Sequence, residues 1–442
     1  MEIGALMEIK AFKAYRYDPD VVQNVGDCIA PPYDVIDAHY QQVLHDRSPW
    51  NVARITRGRI SPDDNDKSNV YTRAAEAFAS FVQKGALKQD AADSVYAYVQ
   101  DFDAHGQTFR RSGFVALGRL QEFGRGVQPH ERTLEGPKAD RLKLTRATAA
   151  QFGQIFMLYD DPEKIADEII ERAATRQPPI DFNDDDGVRH RLYLIDAAED
   201  IEKLTAMMAD KMTVIADGHH RYETALNYYA ETKNPTAAYC MMTFVNMRNE
   251  GLVIFPTHRL VAGLGGFDVD KLIRDIEGDF DTQRFAFADD DEKAAAQKKM
   301  FDAMQKQFAR KANAFGIYAG SGCFYTAVLK DLHAMDAAWP GMSPAAKGLD
   351  VNVLHKLVLE GRLGIGEKEL AHESHIEYIK DIGNAIEESI RAVDSGRAQA
   401  VFFMNPTRIG QVKAVAAAGE KMPQKSTFFY PKIFTGLVIY KY

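Results

Sequence analysis

Apolar and polar residues alternate along this chain with two different periods, and each period predicts a type of secondary structure. Between residues 66 and 84, apolar residues recur every three to four positions, as in an amphipathic helix, and Gly85 follows as a C-terminal stop. Residues 94–102 and 108–123 carry β-branched and aromatic residues on either side of a polar turn, which predicts a hairpin. Helix-like and strand-like segments then alternate from 163 to 259.

The last third of the chain repeats this mixture, and no internal repeat is visible. The mixture predicts an α+β (mixed α/β) fold. The weakest compositional boundary in this region falls near residues 262–268. We therefore expect a first domain at 1–261 and a C-terminal α/β portion at 262–442, which can also pack into the same unit. The predicted segments of the last third are 291–311, 315–330, 345–361, 383–395 and 399–404.

Composition and charge narrow the class of protein. The 442 residues are 46% apolar and 26% charged, ordinary values for a globular protein. The formal charge of −9 argues against nucleic acid or an anionic membrane as a partner. Cys28, Cys240 and Cys323 lie far apart, which argues against a disulfide framework and a cysteine zinc site. Because the sequence shows neither a membrane-spanning apolar run nor a signal peptide, we expect a cytoplasmic protein.

Ionisable residues are most densely grouped in residues 214–226, VIADGHHRYETAL. An apolar strand-like run gives way to Asp217 and Gly218, and a helical pattern follows. Gly218 permits a tight turn with positive φ. The helix after it presents unpaired backbone N–H groups and the positive end of its dipole. An anion binds naturally at such a helix N-terminus.

Ionisable side chains crowd this predicted helix N-terminus. Arg221 can bind two phosphate oxygens at once, and His219 and His220 add further donors. Asp217 can hold Mg²⁺ or accept the proton of an attacking hydroxyl. Together these residue types indicate a cradle for phosphate.

Two alternatives compete with a phosphate cradle. In the structural alternative, Asp217 caps the helix, backbone carbonyls satisfy the histidines, and Glu223 balances the helix dipole. In the metal alternative, His219 and Glu223 share one helix face with His220 beside them, as in a metal-dependent hydrolase. The zinc-protease pattern of two histidines flanking a glutamate is absent from the sequence. Because so many costly polar groups are rarely assembled without a ligand, the phosphate cradle is favoured.

The stretch 217–221 resembles the nucleotide-binding loop of the ParB/sulfiredoxin-like superfamily, which reads Asp-Gly-His-His-Arg or a close variant. Four further stretches extend the resemblance to one family, domain-of-unknown-function family 1015 (DUF 1015), over nearly the whole chain. They are APPYDVI (30–36), NVARIT (51–56), HERTLEGPKADRLKL (130–144) and MPQKSTFFYPK (422–432). The resemblance implies a ParB/sulfiredoxin-like nucleotide-binding core elaborated by additional mixed-sheet and helical segments.

The resemblance also implies an activity. The superfamily includes CTP-binding chromosome-partitioning proteins, ATP enzymes that repair sulfinic acids, and kinases of free L-serine. Genes of DUF 1015 proteins often neighbour serine-biosynthesis genes, and the family is linked to ATP-dependent serine kinase activity. The implied reaction uses ATP and Mg²⁺ and transfers the γ-phosphoryl group to the serine hydroxyl, giving O-phosphoserine. Two alternative functions remain open, a nucleotide-binding (CTP or ATP) switch and a metal-dependent hydrolase. A homodimer is a possible assembly.

The expected site residues come from the loop and from the stretches that carry the resemblance. The expected catalytic residues are Asp217, His220 and Asp34, with Asp217 also a ligand of Mg²⁺. The expected phosphate-binding residues are Gly218, His219, His220, Arg221, Lys138 and Arg141. The expected substrate contacts are Asp34, Asn51, His130, Glu131 and Glu223.

The stretches outside the loop also have structural interpretations. Pro31 and Pro32 hold Asp34 on a rigid turn, where it either binds substrate or caps the turn. Asn51 is either a ligand or a turn cap, and the turn cap is slightly favoured. The loop 130–141 either brings cations and carboxylates to a triphosphate, or it is an exposed loop whose surface ion pairs contribute little to stability. With the family resemblance, the functional interpretation of this loop is favoured.

Overall fold

The computed structural model describes residues 6–104, 106–131, 135–371 and 374–442. In chain order its strands are β1 Ile9–Lys10, β2 Tyr15–Tyr17, β3 Leu87–Gln89, β4 Val95–Ala104, β5 Gln107–Arg119, β6 Val127–Pro129, β7 Ala150–Gln151, β8 Ile155–Tyr159, β9 Ile180–Asn183, β10 Arg189–Ile195, β11 Thr213–Asp217, β12 Tyr239–Asn246, β13 Val253–Phe255, β14 Thr257–Val261, β15 Phe280–Ala286, β16 Ala314–Tyr318, β17 Cys323–Leu329, β18 Ile376–Lys380, β19 Ala400–Met404, β20 Phe428–Tyr430 and β21 Tyr440–Lys441.

The helices alternate with these strands. The α-helices are α1 Pro19–Val22, α2 Ala38–Arg47, α3 Ala53–Thr56, α4 Val70–Gln83, α5 Glu135–Thr148, α6 Ile165–Ala173, α7 Ala198–Met208, α8 His219–Thr232, α9 Val269–Ile276, α10 Asp290–Ala309, α11 Ala334–Ala338, α12 Pro344–Lys347, α13 Asp350–Val353, α14 Glu367–Ala371, α15 Ala385–Asp394 and α16 Ile409–Ala417. Short 3₁₀ helices cover Val25–Cys28, Tyr33–Val35 and Pro235–Ala238, and a π-helix covers Leu354–Glu360.

The chain divides into two compact units. The first unit is Met1–Pro129, Thr133–Val253 and Pro431–Tyr442. The second unit is His130–Arg132 and Ile254–Tyr430. The expected domains 1–261 and 262–442 stay a prediction.

A large mixed sheet forms the centre of the first unit. Its strand order is β6-β11-β8-β12-β5-β4-β10-β9, and β1 pairs with the end of β5. The pairs β11–β6 and β12–β8 are parallel, whereas the other pairs in this sheet are antiparallel. The mixed α/β class predicted from the sequence is therefore confirmed.

One face of this sheet packs against helices α6, α7 and α8. Alternate residues of each strand point to this face. Met157 and Tyr159 of β8 join Ile169 of α6, Met208 of α7 and Tyr222 of α8 in one buried apolar cluster. Burying each such side chain contributes about 1.5–3 kcal/mol. This packing fixes α8, and with it the loop between β11 and α8.

The opposite face carries a buried polar network that holds the C-terminal segment Pro431–Tyr442. Arg111, on β5, is 1% exposed and donates hydrogen bonds to the side chain of Gln100 and to the carbonyl of Pro431. The amide of Gln100 donates to the carbonyl of Lys432 at 3.0 Å. Because the carbonyl groups before and after the Cα of Lys432 are both held, the side chain of Lys432 starts from a fixed position.

The second unit is built on an antiparallel sheet of order β15-β17-β16-β19-β14-β18. Helices α10 and α15 cover one face of it. Met300 and Met304 of α10 and Val393 of α15 are buried against Phe324 and Phe403 of the sheet. Among the described helices, none combines the length and the apolar character that a membrane crossing requires.

Candidate functional site

The loop between β11 and α8 has the geometry expected from its sequence. Strand β11 ends at Asp217, Gly218 adopts φ 96°, and α8 begins at His219. A side chain on Gly218 would be strained in this left-handed conformation, and its Cβ would lie 3.0 Å from Nε and Nη2 of Arg221. Since glycine at the N-cap offers no side-chain acceptor, the first backbone N–H groups of α8 lack a side-chain cap.

The carboxylate of Asp217 is flanked by two cations. Nζ of Lys432 lies 3.0 Å from its Oδ2, and Nη2 of Arg221 lies 3.8 Å from its Oδ1. All three side chains are less than one-fifth exposed. Burial would raise the pKa of Asp217, but Lys432 and Arg221 outweigh it and hold that pKa well below the ordinary value. Asp217 is therefore an anion at neutral pH.

Arg221 is anchored by backbone rather than left mobile at the surface. Its Nη1 donates to the carbonyl of Gln154 at 2.5 Å. A Cβ on Gly153 would lie 3.3 Å from the same Nη1, and a Cβ on Gly218 would lie 3.0 Å from Nη2. The two glycines thus create the space that Arg221 occupies. An anchored guanidinium loses little conformational entropy when it binds an anion.

His220 lies in a field of four charged groups. Burial lowers its pKa, Glu223 and Asp34 oppose that shift, and Lys138 and Arg221 reinforce it. The net result is a pKa below the ordinary value of histidine, so the ring is neutral at pH 7. Nζ of Lys138, on α5, lies 2.9 Å from Oε2 of Glu223. The structure therefore brings Lys138, Glu223 and Asp34 into the neighbourhood of the loop.

Asp34 differs from the other carboxylates of this region. It lies on the short 3₁₀ helix Tyr33–Val35 and is exposed. Its side chain makes no hydrogen bond or ion pair with any described residue. Its negative charge nevertheless acts to raise the pKa of His220. It is the carboxylate here whose oxygens are most available to a ligand.

An open cavity with an empty volume of about 630 Å³ extends from Arg221. Tyr33 and Arg141 form part of its wall. The guanidinium of Arg141 lies 4.1 Å from the ring centroid of Tyr33 and donates to the carbonyl of Thr56 at 2.8 Å.

Asn51 has a structural position. It is fully buried, and its Nδ2 donates to the carbonyls of Asp27 at 2.7 Å and Ile29 at 3.3 Å. Its Oδ1 accepts from the backbone N–H of Ala53 at 2.9 Å. These bonds are those of a turn cap, and a substrate contact for Asn51 stays a prediction.

His130 and Glu131 belong to the second unit. His130 is fully buried, and its Nε2 lies 2.9 Å from Oγ1 of Thr427. Glu131 accepts a hydrogen bond from the backbone N–H of Lys425 at 3.2 Å. Part of the charged loop that was expected to act with them, residues 132–134, lies outside the described residues. Substrate contacts for His130 and Glu131 stay predictions.

The donor set around the loop gives no support to a metal-dependent hydrolase. In the part of the chain that the structure describes, no group of three or more His, Cys, Asp or Glu side chains is placed to hold a metal ion. Asp217 already faces Lys432 and Arg221, so Mg²⁺ would have to displace a cation to bind it. Among the described residues, Asp34 has no such competitor. A Mg²⁺ site at Asp217 stays a prediction.

Lys432 and Gln154 were missed by sequence reasoning. Lys432 ends the stretch MPQKSTFFYPK, whose likeness to the family was the only available signal. Gln154 carried no signal at all. It is fully buried, and its side-chain Oε1 and Nε2 have no hydrogen-bond partner among the described residues, whereas its backbone carbonyl anchors Arg221.

Comparison with known proteins gives one strong result and several weak ones. Curated proteins gave no match. Among solved structures, the chain is similar to a free serine kinase in complex with AMP, with a TM-score of 0.32 and 14% identity, over 71% of this chain and 89% of that chain. For SbnI with a C-terminal truncation, from Staphylococcus aureus, the TM-score is 0.33 and the identity 10%, over 72% and 84%. For a conserved hypothetical protein from Pyrococcus furiosus, the TM-score is 0.31 and the identity 13%, over 71% of this chain and 94% of that chain.

Such low TM-scores carry no argument about fold or activity. The strong result is a family model, described as a protein of unknown function (DUF1015), which matches residues 9–352. This match covers well over half of the chain. The chain therefore belongs to the DUF1015 family.

Proposed function

We propose that this protein is an ATP-dependent kinase that phosphorylates the hydroxyl group of free L-serine. The observation that carries the proposal is the loop between β11 and α8. There, a helix N-terminus without a side-chain cap and an anchored Arg221 lie beside a cavity of about 630 Å³. The choice of serine as acceptor rests on the family resemblance of the sequence and not on this geometry.

The loop supplies what a nucleotide phosphate requires. Backbone N–H groups at the start of α8 point at the anion, and the helix dipole favours negative charge there. Arg221 adds a charged, forked donor, and neutral His220 adds a donor without a competing charge. Phosphoryl transfer depends mainly on positioning and on neutralising the charge of the phosphoryl oxygens. A cradle of this kind provides both.

Asp34 is the best candidate for the general base. In the proposed step, the serine hydroxyl oxygen forms a bond to the γ-phosphorus, and the bond from that phosphorus to the bridging oxygen of ADP breaks. The hydroxyl proton passes to the carboxylate of Asp34. An exposed carboxylate without a hydrogen-bond or ion-pair partner among the described residues can accept that proton without breaking an existing contact.

We assign Asp217 a positioning role. Its carboxylate holds Lys432 at 3.0 Å and faces Arg221, so it orients the cations that meet the phosphates. Mg²⁺ would then arrive bound to the nucleotide, since protein Mg²⁺ sites usually combine one or two carboxylates with substrate phosphates.

A donor and acceptor screen tests the proposal. The protein is incubated with Mg²⁺, L-serine and, in separate reactions, ATP, CTP, ADP or pyrophosphate, and products are identified by mass spectrometry. L-Threonine and D-serine test the acceptor, and L-alanine is the control that lacks a hydroxyl. We expect O-phosphoserine and ADP from ATP and L-serine, and no product with L-alanine. Nucleotide-dependent dimerisation without transfer to any acceptor would instead identify a switch.

Asp34→Asn should abolish most turnover because the base is lost, while the fold is kept. Asp66→Asn is the matched control, since Asp66 is also exposed and lies outside the loop and the cavity wall. Removal of a general base typically lowers the rate about 10²- to 10⁴-fold. Equal rates for the two variants would remove Asp34 from the mechanism.

A further inference from the structure

The C-terminal segment Pro431–Tyr442 is held to the first unit in two different ways. Its later residues are paired through the backbone. Thr435 exchanges N–H and carbonyl hydrogen bonds with Ala30, and Ile439 does the same with Tyr15. Its first residues are held by buried side chains of the large sheet.

Those side chains belong to Arg111 on β5 and Gln100 on β4, and each residue is 1% exposed. Arg111 donates from Nη2 to the carbonyl of Pro431 and from Nε to Oε1 of Gln100 at 3.1 Å. Because a guanidinium can only donate, it turns the carbonyl end of the Gln100 amide toward itself. The amide nitrogen of Gln100 is thereby directed at the carbonyl of Lys432, to which it donates at 3.0 Å. Arg111 thus acts on both carbonyl groups that flank the Cα of Lys432.

Lys432 is consequently fixed at both ends. The hydrogen bonds of Arg111 and Gln100 hold its backbone, and Asp217 holds its ammonium group, with Nζ 3.0 Å from Oδ2. A lysine side chain is long and flexible, so fixing only one end would leave the ammonium group many positions. A cation that is already in place needs little reorganisation when an anion arrives.

Arg111 also contacts the strand beside the loop. Its guanidinium lies 4.8 Å from the ring centroid of Phe156, and Phe156 is the β8 residue that pairs with Asp217 at the end of β11. Burying a guanidinium costs free energy because the charge leaves water. Backbone pairing, which buries no charge, holds the later part of the C-terminal segment, so a buried charge at its start indicates a function besides anchoring.

We propose that Arg111 is a positioning residue for anion binding at the loop between β11 and α8. Through Gln100 and the two carbonyl groups it fixes the backbone of Lys432. It thereby keeps the ammonium group of Lys432 beside Asp217, where the anion binds. The inference rests on the proposed function in one respect, that the anion is a nucleotide phosphate.

Pulsed acetylation of lysines in the native full chain, read by mass spectrometry, tests the positioning without any nucleotide. Arg111→Lys keeps the charge, but one ammonium group cannot reproduce the fork of the guanidinium. We expect Lys432 to be acetylated about threefold faster or more in this variant than in the wild type, because its ammonium group leaves Asp217 more often. Lys299, which is exposed, is the internal reference. Equal rates for Lys432 in the two folded proteins would overturn the proposal.

Two further variants, checked for folding by their melting curves, sharpen this measurement. Gln100→Glu leaves an acceptor for Arg111 but removes the donor to the carbonyl of Lys432, so it should raise the acetylation rate of Lys432 as well. Arg110→Lys is the matched control, since Arg110 is the neighbouring residue on β5, is exposed and pairs with Asp101 at 2.7 Å. It should leave the rate unchanged. An increase as large as that of Arg111→Lys would show general loosening of β5 and overturn the proposal.

Titration with ATP and Mg²⁺, without an acceptor, tests the effect on anion binding. We expect Arg111→Lys to weaken ATP binding about tenfold, and to weaken it no further in a protein that already carries Lys432→Met, because Arg111 acts through Lys432. Losses that multiply in the double variant would overturn this proposal alone. ATP binding by the wild type without phosphoryl transfer to serine would contradict only the kinase assignment, whereas no ATP binding by the wild type would overturn both.

Discussion

The ammonium group of Lys432 lies 3.0 Å from Oδ2 of Asp217, although 215 positions separate the two residues in the sequence. Gln100 holds the carbonyl of Lys432, so the C-terminal segment completes a loop that is encoded far upstream. The loop between β11 and α8 thus depends on a partner that its own sequence does not contain.

Lys432→Met should therefore damage the loop more than an ordinary surface change. Asp217 would lose its nearest counter-ion, and its pKa would rise toward the ordinary value. We expect the free energy of unfolding to fall by about 1–3 kcal/mol, below the full cost for a deeply buried pair, because both side chains retain some exposure. Nucleotide affinity should fall as well. Urea denaturation and nucleotide titration measure the two effects.

Lys299→Met is the control for this change because Lys299 is exposed on α10 of the second unit. It should alter the free energy of unfolding by less than about 0.5 kcal/mol. If Lys432→Met behaves like Lys299→Met in both measurements, the ion pair of Lys432 with Asp217 contributes neither to stability nor to nucleotide binding.

Gly218→Ala should distort the loop for two reasons. The new Cβ would sit on backbone with φ 96° and would press on the guanidinium of Arg221. We expect a loss of about 1–3 kcal/mol in the free energy of unfolding and weaker nucleotide binding. Gly410→Ala is the matched control, since a Cβ there meets no atom within contact distance and alanine favours the helix α16. Equal effects of the two substitutions would contradict the inference that Gly218 provides space for the guanidinium of Arg221.

His220 should make the reaction sensitive to mild acid. Its pKa lies below the ordinary value, mainly because of burial, so the folded state binds fewer protons than the unfolded chain. As pH falls below about 6.5, the ring becomes protonated, which lowers stability and changes kcat/KM, because a donor to the phosphate gains a positive charge. The lowered pKa of Asp217 keeps that group ionised in this range. A kcat/KM profile that stays flat from pH 8 to pH 5, wherever the fold persists, would remove His220 from the mechanism.

Asp350 should act on stability in the opposite direction. Its pKa is raised to about 6 by burial, so its ionisation costs free energy in the folded state and stability falls as pH rises between about 4 and 6. Asp350→Asn should raise the free energy of unfolding at pH 7 by about 1–3 kcal/mol and by much less at pH 4.5. Urea denaturation at both pH values measures the difference. A variant that is less stable at pH 7 would show that Asp350 is already well solvated or paired.

Asn51→Ala should lower stability rather than affinity. The substitution leaves the carbonyls of Asp27 and Ile29 and the N–H of Ala53 without their buried partner. We expect a loss of about 2–4 kcal/mol in the free energy of unfolding, because each orphaned buried group costs about 1–3 kcal/mol and the three losses are not fully additive. Nucleotide and serine affinity of the folded variant should be unchanged. A loss of affinity without a loss of stability would indicate that Asn51 contacts the substrate directly.

Local patterns predicted local structure well. The strand, glycine and helix of 214–226 were predictable because the hydrophobic period and the φ requirement of Gly218 lie within a few residues. Helix α4 begins at Val70 rather than at residue 66 because Asn69 caps it through the N–H groups of Tyr71 and Thr72. Capping decides such boundaries more sharply than apolar periodicity does.

Relationships across the chain were not predictable in the same way. The pair of Asp217 with Lys432 depends on how the C-terminal segment crosses the sheet, which no local pattern encodes. The same holds for Arg221, whose anchor is the carbonyl of Gln154. His130 and Glu131 looked like neighbours of Lys138 in the sequence, yet they belong to a different compact unit.

The most direct test of the proposed function is phosphorus NMR of a reaction with ATP, Mg²⁺ and L-serine. We predict that the γ-phosphate signal decreases as an O-phosphoserine signal grows in equal amount. Asp66→Asn should retain this conversion, and Asp34→Asn should lose most of it. Release of inorganic phosphate alone, or an unchanged γ-phosphate signal with folded protein, would contradict the assignment of this protein as a serine kinase.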